Sequence, residues 1–214
     1  MNSDNLKPEV GSAYGYAWSR MWKYFLELFL IAIVGWVIGV PAGTLSWFGG
    51  IGFPTFPGLF GYVYVALVLS PVEYGISYAY LKAARDERVE VKDMFAAFNN
   101  YWNTVLAGIL VGAIVVIGFI LFIIPGFYLA CKLAFTPYLV VDRKMEVTEA
   151  LRESWRMTDG HAWTVLGIGL LGVVISIAGI IVFFVGVIVA TMWITLALAS
   201  LYYTVSRSQP APSQ

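Results

Sequence analysis

The sequence predicts an all-α, polytopic transmembrane bundle: six helices in three hairpin repeats, with short amphipathic helices on the cytoplasmic surface. Three observations carry this expectation. The 214 residues are 60% apolar and 12% charged, with a mean hydropathy of +0.79, against about 45–50% apolar and about 25% charged in soluble domains. Residues 28–72, 94–131 and 160–206 contain no Asp, Glu, Lys or Arg, and each run exceeds the about 20 helical residues that cross a roughly 30 Å hydrocarbon layer. Folding each run into a hairpin places twelve of the thirteen Lys and Arg residues on one side.

The hairpin breaks fall where glycine and proline interrupt the apolar runs: residues 41–58, Pro125–Gly126, and residues 179–186. The resulting spans lie at about 24–42, 59–81, 102–124, 127–141, 162–183 and 186–206. Residues 1–206 form one transmembrane domain with hairpin units at about 8–86, 87–142 and 143–206, and 207–214 read as a disordered tail. The basic side carries Lys7, Arg20, Lys23, Lys82, Arg85, Arg88, Lys92, Arg143, Lys144, Arg152, Arg156 and Arg207. By the positive-inside rule it is cytoplasmic, which puts both termini inside the cell and the chain in the inner or plasma membrane. The first twenty residues hold no apolar core of a cleavable signal, so the first span is expected to direct insertion. The first outer turn carries Trp47, Phe48, Phe53 and Phe56, residue types that rest in the membrane interface.

An internal repeat supports the hairpin division. Asp86, Arg88, Val89, Glu90, Val91, Asp93 and Phe95 match Asp142, Lys144, Met145, Glu146, Val147, Glu149 and Leu151 at an offset of 56. The spans that follow match at an offset of 60, with Thr104, Val105, Leu106, Leu110, Gly112 and Gly126 over Thr164, Val165, Leu166, Leu170, Gly172 and Gly186. Apolar lines at helical spacing precede the odd-numbered spans: Val10, Tyr14, Trp18, Trp22; Val91, Met94, Phe95, Phe98; and Val147, Ala150, Leu151, Trp155. Each reads as a surface helix, which either covers the bundle floor or docks another membrane or cytoplasmic protein. Thirteen acids balance thirteen bases, so binding to anionic lipid is expected to be weak and nucleic acid is not a partner.

With Pro125–Gly126, Phe127, Tyr128, Lys132, Pro137, Asp142, Glu149, Ala150, Leu151, Ser154, Trp155, Thr158, Asp159 and Gly160 in this order, the chain resembles a known group. It is similar to the polytopic bacterial and archaeal proteins described as glycerophosphoryl diester phosphodiesterase membrane domains, most densely from about residue 100 onward. The resemblance implies a six-helix bundle and no established substrate. In two-domain members the phosphodiesterase chemistry belongs to a separate soluble barrel of about 250 residues, so the resemblance implies a membrane module here, without that activity.

The residues themselves offer no clustered acid, base, nucleophile or metal set. His161 is the single histidine, beside Asp159 at a span entrance, and Cys131 is the single cysteine. No enzyme activity and no cofactor or metal are expected. Glu27, Glu73 and Lys132 are the charges inside spans. Glu27 can snorkel to the cytoplasmic interface, whereas Glu73 and Lys132 lie at similar depth and are expected to pair, as a helix lock or as a polar transport site. Gly35, Gly39, Gly43, Gly108, Gly112 and Gly172 let helices approach closely, within one bundle or at a homodimer seam. Pro71 and Pro137 sit within spans, where they bend a helix and free carbonyls. Two functions stay open: a non-catalytic scaffold, regulatory or accessory module of the cell envelope, or a small permease or exporter using Glu73 and Lys132.

Overall fold

A computed structural model describes residues 7–48, 61, 63–181 and 184–208. All of the secondary structure among them is helical. Helix α1 (Val10–Lys23) turns at Tyr24 into α2 (Phe25–Phe48), with a bend of 95°. A π-helical stretch, Val65–Leu69, leads into α3 (Ser70–Ala84), which has Pro71 in its first turn. A 3-10 segment, Val91–Asn100, continues into α4 (Tyr101–Leu121). Helices α5 (Ile123–Lys132) and α6 (Thr136–Asp142) are followed by α7 (Val147–Met157), α8 (Ala162–Ile181) and α9 (Phe184–Ser208).

Among the described residues four helical runs are long and apolar enough to cross a membrane: 91–121, 123–142, 162–179 and 186–207. The bent pair α1–α2 makes five if it is taken as one span. Of the expected outer turn at 41–58, residues 41–48 instead continue α2 past Pro41; the surroundings of Gly43, Trp47 and Phe48, the residues Phe53 and Phe56, and the tail from 209 lie outside the described residues. Residues 207 and 208, expected in the tail, are the last of α9.

The expected tight turn near Pro125–Gly126 is present but falls three residues earlier. Phe122 is the single extended residue between α4 and α5, and Pro125 and Gly126 lie in the first helical turn that follows. That position suits a proline, whose missing N–H is not needed there. The α4–α5 crossing is close because both contact points are glycine: a Cβ on Gly118 would sit 3.1 Å from the Gly126 Cα. Pro137 likewise begins α6 after a break at 133–135, so the fourth span is two helices rather than one.

Burial separates an inner set of helices from an outer one. The apolar windows of the 91–121 and 162–179 runs are 22% and 17% buried, those of the 123–142 and 186–207 runs 50% and 44%. Helix α3 is central as well, burying Val72, Tyr74, Gly75, Tyr80 and Leu81. Gly75 lets α3 reach the 3-10 segment, because a Cβ there would collide with the Met94 carbonyl. The Tyr202 ring of α9 meets Phe135 edge-on at 5.5 Å and stacks on Tyr138 of α6 at 4.9 Å. The outer helices turn Leu106, Ile117, Ile120, Leu170 and Val174 outward, as a lipid-facing surface requires.

The expected apolar lines of the surface helices divide between the bundle and the outside. Helix α1 buries Ala13, Tyr14, Ala17 and Met21 and exposes Trp18 and Trp22; α7 buries Ala150, Glu153, Ser154 and Met157 and exposes Trp155. Of the expected lines, Tyr14 and Ala150 pack inward, whereas Trp18, Trp22 and Trp155 stay outside. In a bilayer the outside is itself apolar, so aromatics can face lipid while small and polar residues pack inward.

Candidate functional site

Ion pairs gather at one end of the bundle and link successive hairpins. Asp86 follows α3 and accepts from Arg20 at 2.6 Å, from Lys23, and from the Tyr24 hydroxyl at 2.9 Å. The Lys23 hydrogen bond leads the influences that hold the Asp86 carboxyl down to about 2. Arg85 grips Asp142 with two bonds of 2.6 and 2.5 Å, the fork geometry that suits a carboxylate. Lys82 reaches Asp93 at 2.7 Å, and Glu153 takes Arg156 at 2.7 Å and Arg143 at 3.6 Å. Asn103 joins α4 to the next loop, donating to the Met145 carbonyl at 2.6 Å and accepting from the Val147 N–H at 3.2 Å.

Lys132 belongs to this charged end. In place of the expected pairing with Glu73, its ammonium, 3% exposed, meets Asp159, which is 64% exposed. It also lies 5.6 Å from the Tyr128 ring and 5.4 Å from the Trp155 ring, positions that favour a cation over an aromatic face. The helix break explains the change of partner. Counting depth along one continuous helix from Asp142 set Lys132 level with Glu73, but the helix is interrupted at 133–135 and the α5 end is hydrogen-bonded to α7. The carbonyl released by that break is satisfied from α7: the Ser154 hydroxyl donates to the Lys132 carbonyl at 2.8 Å, and Thr158 Oγ1 lies 3.2 Å from it. The Phe135 N–H donates to Ser154 Oγ at 3.2 Å. Tyr128, Lys132, Ser154, Trp155, Thr158 and Asp159 therefore make one assembly.

Glu73 stands elsewhere. It is exposed into a cavity of about 600 Å³ between α2, α3 and α9, lined by Ala32, Gly35, Trp36, Gly39, Val40, Leu69, Ile76, Tyr80, Thr191 and Thr195. Among the described residues no cation stands against it. Eleven residues separate it from the α3 end at Ala84, about 16 Å along a helix, so the carboxylate lies far from the ion pairs at that end. Gly35 lets α2 lie against α3, since a Cβ there would meet Ile76 Cδ1 at 2.6 Å. Thr191 and Thr195 are one turn apart on α9, a spacing readable in the sequence but overlooked. The Ser70 and Tyr74 hydroxyls, also one turn apart, are buried on α3 without a protein partner among the described residues. Gly108 of α4 lies against both side chains.

The remaining expected residues are dispersed. Glu27 sits half-buried in the first turn of α2, where the helix dipole favours an acid. His161 Nδ1 lies 3.3 Å from the Asp159 carbonyl. Gly39 and Gly172 approach Leu69 and Ile194, and a Cβ on Gly112 would meet nothing within 4 Å.

Residues 105–206 match one family model. That model describes the membrane domain of glycerophosphoryl diester phosphodiesterase, and the similarity covers just under half of the chain. No curated protein and no solved structure matches the chain. The match covers the resemblance expected from about residue 100 onward, and the whole Lys132 assembly falls inside the membrane-domain segment. The Glu73 cavity straddles its border, taking Thr191 and Thr195 from the matched segment and α2 and α3 from outside it. The chain is an integral membrane protein.

Proposed function

We propose that this chain is a non-catalytic plasma-membrane module that binds an apolar organic cation at Glu73, and that it works as a small permease or exporter for such molecules. The observation that carries the reading is the cavity of about 600 Å³ holding a carboxylate with no opposing cation among the described residues. An ionised acid inside a bilayer costs at least about 2.5–3.5 kcal/mol. It is kept where it meets water, a proton or a cationic ligand. Trp36 supplies a π face, Leu69, Val40 and Ile76 an apolar wall, and Thr191 and Thr195 hydroxyls, so one site can hold a cationic head and its apolar body. The unpartnered Ser70 and Tyr74 hydroxyls support water within the same helix layer.

In this reading the bundle has six spans in three hairpin repeats, the charged end faces the cytoplasm, and both termini lie inside. Twelve basic residues and the linked ion pairs at that end support the orientation. The Lys132 assembly is a structural clasp, and transport rests on Glu73 alone. The scaffold reading retains one observation in its favour, the exposed Trp18, Trp22, Phe95 and Phe98 of the surface segments, which suit a partner protein as well as lipid.

The test is tetraphenylphosphonium binding and uptake by purified protein in liposomes, followed by tryptophan quenching and by tracer. Wild type binds and accumulates the cation, and Glu73→Gln loses both. Equal binding by wild type and Glu73→Gln, or no binding by either, would remove this reading and leave the scaffold.

A further inference from the structure

A second cavity, of about 290 Å³, lies between α4, the start of the α5–α6 break and α7, lined by Ile114, Leu133, Leu151, Arg152 and Trp155. We propose that it is a binding site for an anionic phospholipid, with the lipid phosphate on Arg152 and an acyl chain on the apolar wall. This inference is independent of Glu73.

The electrostatics select Arg152. On α7 the carboxylate of Glu153 is shared by Arg143 and Arg156, and Arg85 holds Asp142. Arg152 is exposed, and among the described residues no acid lies within ion-pair distance of it. Overall neutrality makes diffuse attraction to anionic lipid weak, but it does not neutralise this one guanidinium at the mouth of an apolar groove. A guanidinium fork matches two phosphate oxygens, so the phosphate is the complementary group.

The shape selects a lipid over a soluble anion. Four of the five lining residues are apolar, and a hydrated phosphate gains nothing from them. On α4 the groove residue Ile114 is flanked on the same helical face by Leu110 and Ile117, exposed at 38% and 56%, which extends the apolar wall along the helix as an acyl chain requires. Helix α7 runs beside α4, from Asn103 against Val147 to Ile114 against Trp155. The arginine and the apolar wall thus belong to one continuous crevice. Exposed Tyr128 and Trp155, whose rings meet at 6.0 Å, mark the same neighbourhood, and such aromatics sit at the headgroup level of bilayers.

The experiment is native mass spectrometry of the full chain released from nanodiscs of phosphatidylcholine containing a minority of phosphatidylglycerol. Wild type is expected to retain phosphatidylglycerol in preference to phosphatidylcholine. Arg152→Gln should lower that retention about tenfold, the equivalent of one charge-assisted hydrogen-bonded contact. Leu151→Trp, which fills the groove but keeps the guanidinium, should lower it as well. Arg88→Gln removes a charge that is 89% exposed on a different loop, and retention should stay at the wild-type level. Millimolar inorganic phosphate should not displace the lipid. The proposal is overturned if Arg152→Gln retains as much phosphatidylglycerol as wild type, if Arg88→Gln loses as much as Arg152→Gln, or if inorganic phosphate competes. A lipid-free dimer disrupted by Leu151→Trp would assign the groove to a second copy and would also overturn it.

Discussion

Glu73 and Lys132 were both expected inside membrane spans, yet their surroundings are opposite. Lys132 is closed in by an acid, two aromatic rings and two hydroxyls that hold its own carbonyl. Glu73 opens into a cavity with only hydroxyls and apolar walls around it. An ion with all of its partners supplied by the chain holds helices together. An ion left open by the chain is available to something from outside. Charge inside a membrane is therefore not one signal, and the completeness of its shell separates the two uses.

The largest test of that contrast is Asp159→Asn. It leaves the Lys132 ammonium 3% exposed without its counter-ion, at a cost of about 3 kcal/mol, the lower end of the range for stranding a buried charge because the two rings remain. Lys132→Met should cost less, about 1–2 kcal/mol, because Asp159 stays largely in water and the methionine refills the aromatic box. Thermal unfolding in detergent reads both. The double variant should recover part of the Asp159→Asn loss, giving a coupling above about 0.5 kcal/mol. The same cycle run on Glu73→Gln and Lys132→Met should be additive. A large coupling there would restore the Glu73–Lys132 pair.

Next in size is the acid response of the charged end. The Asp86 carboxyl is held down to about 2 in the folded chain, chiefly by Lys23, against about 3.9 when unfolded. Its contribution is therefore complete above about pH 4 and is lost as pH falls toward 2. Solvent screening keeps it within about 1 kcal/mol. Asp86→Asn should remove the contribution at neutral pH and flatten this part of the stability curve, and an unchanged acid limb would show that Asp86 is not clamped. The smallest change expected is in the stability of Glu73→Gln, which should melt at or slightly above wild type even as ligand binding is lost. A marked loss of folded protein would give Glu73 a structural role after all.

Much of this architecture was legible because lipid imposes simple bookkeeping on charge. The uncharged runs 94–131 and 160–206 located four candidate spans, and the break at Phe122 fell three residues before the expected turn. The Lys132 partner was not legible. Depth counted at 1.5 Å per residue assumes an unbroken helix, and the chain bends between Lys132 and Thr136, where Pro137 only hinted at it. The motif that carries the resemblance did hold the answer, since Ser154, Trp155 and Asp159 all converge on Lys132, but as an ordered string it gave no reason to bring them together. The apolar lines of α1 and α7 were legible as such, but which of their members pack on the bundle was not, because in a bilayer both faces can be apolar. Thr191 and Thr195 were readable as a polar pair one turn apart and drew no notice because neither carries a charge.

The way α1 is fastened has a consequence for how the chain is made. The Tyr14 hydroxyl donates to the Ile168 carbonyl at 2.8 Å, and the Trp193 indole donates to the Tyr14 carbonyl at 3.0 Å, so the first helix is docked by residues 154 and 179 positions downstream. During synthesis those partners emerge last. Until the final hairpin has entered the bilayer, α1 has its seat on the α3 end, through Tyr16, Arg20 and Lys23, but not its Tyr14 contacts. Assembly is thus completed at its starting point, by closing a ring, and a ribosome stalled before Trp193 leaves that ring open.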